Sequence, residues 1–301
     1  MKGFILKVLY FLFPLIGIGV SMEALIRNIP NDYSYKKQFL DKNANRIEIL
    51  FLGSSHTFYG INPEFISPNS FNASHISQSV DYDYEILSKY KNDWSKLKYI
   101  VIPVDYFTLF SRLSSGQESW RVKNYEIYYG IDKSNLVANH SELLSIKTAP
   151  NLKRIYSYYF QNVSAITCSD LGYGKIDLPP KDLEKTGIEA AKRHSKADKK
   201  YLEENIRLLK ELVDFAAKRN IKVLLYTNPA FHTYVSRLSP NQLEVTYKTV
   251  NSLVSNYSNC SYHDFLNDQS FGAGDFTDAD HLNSLGAKKL SMKLGNILMG
   301  M

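Results

Sequence analysis

The chain has 301 residues, 44% hydrophobic and 22% charged, with a formal charge of +6. This composition supports a sizeable folded core and excludes a disordered or collagenous chain. The cations are scattered, and the densest run (KRHSKADKK, 192–200) is diluted by Ala197 and Asp198, so it reads as a solvated helix start and no nucleic-acid partner is expected.

The first 22 residues read MKGFILKVLYFLFPLIGIGVSM. Lys2 and Lys7 precede an uncharged stretch from Val8 to Met22, and with Phe4, Ile5 and Leu6 the apolar length approaches the about 20 residues that cross a bilayer. Basic residues before the segment predict a cytoplasmic amino end, with Ala24 onward outside the cytoplasm. No A-x-A site follows the apolar run, so an uncleaved anchor over 1–24 is favoured over a cleaved signal peptide. Pro14 in its middle argues against a buried core helix.

Residues 25–45 then form a polar, aromatic-spotted lead-in expected to wrap the domain. Ile47 to Leu52 is a buried-strand pattern that stops at Gly53, with Ser54, Ser55 and His56 directly after. Ser70 to Ala73 is a second short strand, Asp81 to Lys91 a helix, and Lys98 to Val104 (KYIVIPV) a parallel-type strand. Residues 106–197 are Tyr-rich, carry Gly-Tyr-Gly and Pro-Pro, and read as an insertion with short helices. Lys199 to Asn220 is an amphipathic helix feeding the strand Ile221 to Tyr226. A helix over Pro240 to Tyr257, a strand over Ser261 to Phe265 and a helix over Asn283 to Met299 finish the chain. The last helix has Leu285, Leu290, Leu294 and Leu298 as its apolar face. Alternating helices and strands imply a parallel sheet covered on both faces. The two cysteines, Cys168 and Cys260, form no C-x-x-C pattern, which speaks against a structural zinc; they can form one disulfide or stay as thiols.

Chemistry gathers at two places. A strand breaking into a Gly-Ser turn can hold a nucleophile at the carboxyl edge of a sheet. Near the carboxyl end, Asp278 stands three residues before His281, which can present a carboxylate to Nδ1 and leave Nε2 to take a proton. Gly53-Ser54-Ser55 after a strand, with Asp278-Ala279-Asp280-His281-Leu282-Asn283-Ser284-Leu285-Gly286 before a helix, resembles the SGNH, or GDSL-like, hydrolase superfamily. The resemblance covers roughly residues 46–105 and 199–299; the Gly-Ser-Ser variant and the amino-terminal anchor look like its envelope acyltransferase branch, which includes alginate O-acetyltransferases and D-alanyl transfer proteins.

That resemblance implies a three-layer α/β/α fold with a flavodoxin-like sheet, in one domain over 46–301. It makes Ser55 the nucleophile in preference to Ser54, His281 the base, and Asp278 its orienting carboxylate in preference to Asp280, which is expected to point away. His56 is placed to touch substrate. Gln78 falls near the family's oxyanion glycine and offers its backbone N–H. Asp105 occupies the place of the oxyanion asparagine but cannot donate while ionised, so Asn228 is the substitute donor. No metal or organic cofactor is implied. The implied partners are an acylated envelope glycan or another acyl donor, and a membrane protein that exports acyl groups. The implied location is the cell membrane, single-pass, with an extracytoplasmic domain. A plain acyl esterase and a non-catalytic glycan-binding or assembly subunit are the alternatives.

Overall fold

The computed structural model describes residues 1–145, 148–176, 181–195 and 199–301; Pro179-Pro180 and Ala197-Asp198 lie outside the described residues. In chain order the principal helices are α1 (Lys2–Arg27), α2 (Asp32–Asn43), α3 (Ser55–Gly60), α4 (Val80–Lys89), α5 (Glu142–Ser145), α6 (Thr148–Gln161), α7 (Leu183–His194), α8 (Leu202–Ala217), α9 (Pro240–Asn256) and α10 (Ser284–Gly300). The strands are β1 (Ile49–Phe51), β2 (Ser70–Asn72), β3 (Tyr99–Pro103), β4 (Lys222–Thr227), β5 (Cys260–Asp264) and the short pair β6 (Phe276–Asp278) and β7 (His281–Leu282).

Packing divides the chain into two compact units, Met1–Lys37 with Gln117–Thr167, and Gln38–Gly116 with Cys168–Met301. The middle of the expected insertion therefore packs with the amino-terminal segment, while residues 106–116 and the described residues among 168–195 belong to the larger unit. The expected lead-in is also different: most of it is the helix α2. Asn31 starts it, its Oδ1 accepting from the N–H groups of Tyr33 (3.0 Å) and Ser34 (3.1 Å).

The larger unit is built on a five-stranded, all-parallel sheet in the order β2-β1-β3-β4-β5. Side chains alternate across it, so Phe51, Val101, Leu224 and Tyr226 share one face. Leu290, Leu294 and Leu298 of α10 pack there together with Phe276 and Leu282. Leu285, expected on that apolar face, is exposed instead, because it lies in the first turn, where Asn283 caps the helix. Helices α4 and α8 pack on each other, and α8 packs on β4. The strand order reverses between β1 and β3, and in parallel α/β sheets ligands bind outside the carboxyl ends of the strands at such a switch point. Gly53 follows β1 and Asp105 follows β3. The unit's two cysteines, Cys168 and Cys260, are not joined to each other by a disulfide.

The smaller unit contains α1, an apolar helix whose span Gly3–Arg27 has a mean hydropathy of 2.1 and buries none of its most apolar window. It is long and apolar enough to cross a membrane or to act as a signal sequence.

Candidate active site

The site starts where β1 stops. Gly53 sits at φ +119°, and a Cβ there would come within 2.3 Å of the Pro103 ring, so only glycine fits the turn. Its N–H donates to Asp83 Oδ1 at 2.8 Å, and the same oxygen accepts from Gln78 Nε2 at 2.6 Å. Burial pushes the Asp83 carboxyl up to about 7, against those two hydrogen bonds. Ser54 is the buried N-cap of α3, with its Oγ accepting at long range (3.5 Å) from the His56 N–H. Ser55 is the first residue of that helix and half-buried. The two serines are thereby distinguished: one hydroxyl closes the helix, the other projects from it.

The far end of the chain supplies its partners. Asp278 and His281 face each other across the antiparallel β6–β7 pair. Asn283 then caps α10, accepting from the N–H groups of Leu285 (2.9 Å) and Gly286 (3.1 Å). Gly286 lies so close to the Asp275 carbonyl oxygen that a Cβ would stand 2.2 Å from it, which fixes how β6 enters the turn. The outcome is a continuous chain: Ser55 Oγ to His281 Nε2 at 2.9 Å, and His281 Nδ1 to Asp278 Oδ1 at 2.9 Å. With Nδ1–H donating to the carboxylate, Nε2 is the lone-pair nitrogen facing the serine hydroxyl. Lys181 lies 3.4 Å from the other Asp278 oxygen.

Behind this chain lies a second, fully enclosed one. Asp280 does not point away from His281: its Oδ1 is 3.6 Å from Nδ1, while its Oδ2 is 3.5 Å from His56 Nε2 and accepts from Arg193 at 3.2 Å. His56 Nδ1 meets Asp105 Oδ2 at 3.0 Å. The rings of His56 and His281 meet edge to face at 4.9 Å. Burial alone would raise the Asp280 carboxyl, but the His281 and His56 imidazoles hold it well below the usual carboxylate range. Conversely, burial would lower both imidazoles, yet His281 is raised by Asp280 and Asp278, and His56 by Asp105. His194 is shifted the other way, driven down to about 3 by burial, with Nδ1 on the Tyr234 hydroxyl at 3.0 Å.

Three of the four accessory residues expected around the serine, His56, Asp105 and Asn228, fall into this inner layer, and Gln78 lies against Asp83 instead. His56 is buried rather than presented to a ligand. Asp105 accepts from the Asn228 N–H at 2.9 Å and from Asn228 Nδ2 at 3.1 Å, so that amide is committed to a carboxylate. Gln78 spends its backbone N–H on the His75 carbonyl (3.1 Å) and its side chain on Asp83. The space lined by His56, Asp105, Asn228 and Tyr234 amounts to ≈ 10 Å³, too small for an organic substrate. His56, Asp280 and His281 offer ligand atoms within 4.8 Å of one another, as do Glu126, Asp132 and His140. In the first group the hydrogen bonds above already occupy both nitrogens of His281.

Sequence reasoning missed Asp83, Arg193 and His194. Asp83 carried a faint signal as an acid in the first turn of a helix; Arg193 and His194 carried none, since they lie in the expected insertion.

Among solved structures the chain is similar to "a putative platelet activating factor from Streptococcus pneumonia", at 12% identity and a TM-score of 0.46, over 96% of this chain and 98% of that one. It is also similar to a "putative acylhydrolase" from Bacteroides fragilis, at 13% identity and a TM-score of 0.41, over 87% and 96% of the two chains. No family model matches the sequence. No curated protein matches it either.

Proposed function

We propose that this chain is a serine acyl-ester enzyme, and the hydrogen-bonded series Ser55–His281–Asp278 is the observation that carries the proposal. His281 Nε2 takes the proton of Ser55 Oγ as that oxygen attacks an acyl carbonyl. The tetrahedral oxyanion collapses, the C–O bond to the leaving alcohol breaks, and His281 returns the proton to that oxygen. An acceptor hydroxyl or water then attacks the acyl-enzyme, with His281 again as base, and frees Ser55. Asp278 holds the imidazole in the required tautomer. The Ser55 N–H, in the first turn of α3 where N–H groups lack an intrahelical acceptor, is the oxyanion donor.

The finer reading is an envelope O-acyltransferase: α1 anchors the chain in the cell membrane, and the acceptor is a hydroxyl of an extracytoplasmic polysaccharide. It is supported by the apolar amino-terminal helix and by the resemblance of the Gly53-Ser54-Ser55 and Asp278–Gly286 segments to that branch. A serine-directed fluorophosphonate should label the purified chain and leave Ser55→Ala unlabelled; labelling that persists in the variant removes Ser55 from the mechanism. Transfer is separated from hydrolysis by following p-nitrophenyl acetate with and without an oligosaccharide acceptor: a transferase acetylates the sugar, an esterase only releases acetate.

A further inference from the structure

The helix α6 is built inside out. Asn151, on its inner side, is completely buried, its Nδ2 donating to the Glu142 carbonyl at 3.0 Å. Arg154, one turn on, donates to Glu142 Oε2 at 2.8 Å. Its opposite side carries Leu152, Tyr156, Tyr159 and Phe160, spaced as one face of a helix, and Leu152 (52%), Tyr156 (57%) and Phe160 (73%) are exposed. A helix in water does the reverse. Leu136, Val137, Leu144 and Val163 of the same unit are exposed as well.

This unit is fastened to one end of α1. Tyr159 donates its hydroxyl to the Leu25 carbonyl at 3.0 Å. Glu23 caps α5, accepting from Ser141 Oγ (2.8 Å) and from the N–H groups of Glu142 and Leu143 (both 3.0 Å). Arg27 donates to the His140 carbonyl. Glu23 is the first charge after the run beginning at Val8, so it marks where α1 leaves hydrocarbon. From Glu23 to Arg27 the helix rises only about 6 Å, comparable with the headgroup layer of one leaflet, roughly 5–8 Å thick.

From these two observations we infer that the exposed face of α6 is a membrane-interfacial collar. Leu152, Tyr156 and Phe160 lie in the headgroup–acyl boundary around the point where α1 exits, and Lys153 beside them reaches the lipid phosphates. The occupant is the lipid surface itself, because the fastening fixes the depth of the face at the bilayer boundary and because tyrosine beside aliphatic side chains suits a half-wet layer. The inference rests on α1 entering a bilayer, as in the function proposed above.

The full chain, reconstituted in phosphatidylcholine–phosphatidylglycerol vesicles whose acyl chains are brominated near the glycerol, tests it. Phe160→Trp and Tyr156→Trp are made separately, and the added emission is read against the parent chain. Phe11→Trp reports the anchor, and the same variants in vesicles of non-brominated lipid give the unquenched reference. The collar predicts blue-shifted emission with a loss of about half the added signal at positions 156 and 160. Water-like, unquenched emission there, with Phe11→Trp quenched, overturns the collar alone. An unquenched Phe11→Trp overturns the anchor, and the collar with it.

Discussion

Two buried carboxylates, one in each unit, make an instructive pair. Asp280 is surrounded by His281, His56 and Arg193, and Glu142 by Lys123, Arg154 and the Tyr128 hydroxyl (2.5 Å). In both, burial alone would raise the carboxyl and the neighbouring cations hold it below its usual range. The difference lies in what those cations can do. Two of the three partners of Asp280 are imidazoles, one of which touches a serine hydroxyl, so its field acts on a proton that can move. The cationic partners of Glu142 are Lys123 and Arg154, neither of which touches a nucleophile, so its field serves to hold chain segments together. The same electrostatic device tunes chemistry in one unit and fixes architecture in the other.

Substitutions can break that contrast, and the largest effect is expected at the serine. Ser55→Ala should lower p-nitrophenyl acetate turnover by about 10⁴-fold or more with an unchanged unfolding midpoint; residual turnover near that of the parent would mean another nucleophile. Next, Glu142→Leu leaves Lys123 and Arg154 without their anion and should cost about 3–5 kcal/mol in denaturant unfolding, while the pH profile of ester hydrolysis stays in place. Gly53→Ala forces a Cβ against Pro103 at a positive φ and should cost roughly 1–3 kcal/mol.

Smaller and more diagnostic is Asp280→Asn. Its carboxylate raises the His281 imidazole, which must be neutral to accept the Ser55 proton. The rising limb of kcat/KM against pH should therefore lie above that of an ordinary histidine in the parent, and move toward acid by about one unit in the variant. A limb that does not move would make Asp280 structural, like Glu142. The smallest effect is expected from Asp83→Asn. The folded-state pKa of Asp83 is raised from 3.8 to about 7, so its contribution to stability is complete below the lower value and is lost as pH rises through the upper one. The variant should flatten that part of the stability–pH curve. Asp280 and Glu142, whose folded-state values are depressed, contribute the opposite slope: stability present above the ordinary carboxylate range and lost on acidification.

Residues within one element were legible from sequence because their signal is local. The apolar run at 47–52 and KYIVIPV at 98–104 could only be buried strands, and both lie in the parallel sheet. The Asp278–Gly286 segment was legible for the same reason: a carboxylate, an imidazole, a capping asparagine and a close-approach glycine act within one turn and one helix start. That Ser55 and not Ser54 faces His281 was suggested by the motif, and the capping role of Ser54 gives it a physical reason.

Tertiary structure alone decided what depends on neighbours brought from elsewhere. Whether Asp280 faces His281 is set by His56 and Arg193, which come from other elements, and no spacing near Asp280 encodes them. The Asn228 side-chain amide and the Gln78 backbone N–H had the right chemistry for oxyanion donors, but Asp105 accepts from the first and the His75 carbonyl from the second. The middle of the insertion had no readable periodicity against water, because Asn151 and Arg154 of α6 turn toward Glu142 while Leu152, Tyr156 and Phe160 turn outward. A hydrophobic pattern identifies the buried side only once the solvent is known. For residues 117–167 the packing against the end of α1 supports a lipid surface as that solvent, as proposed above.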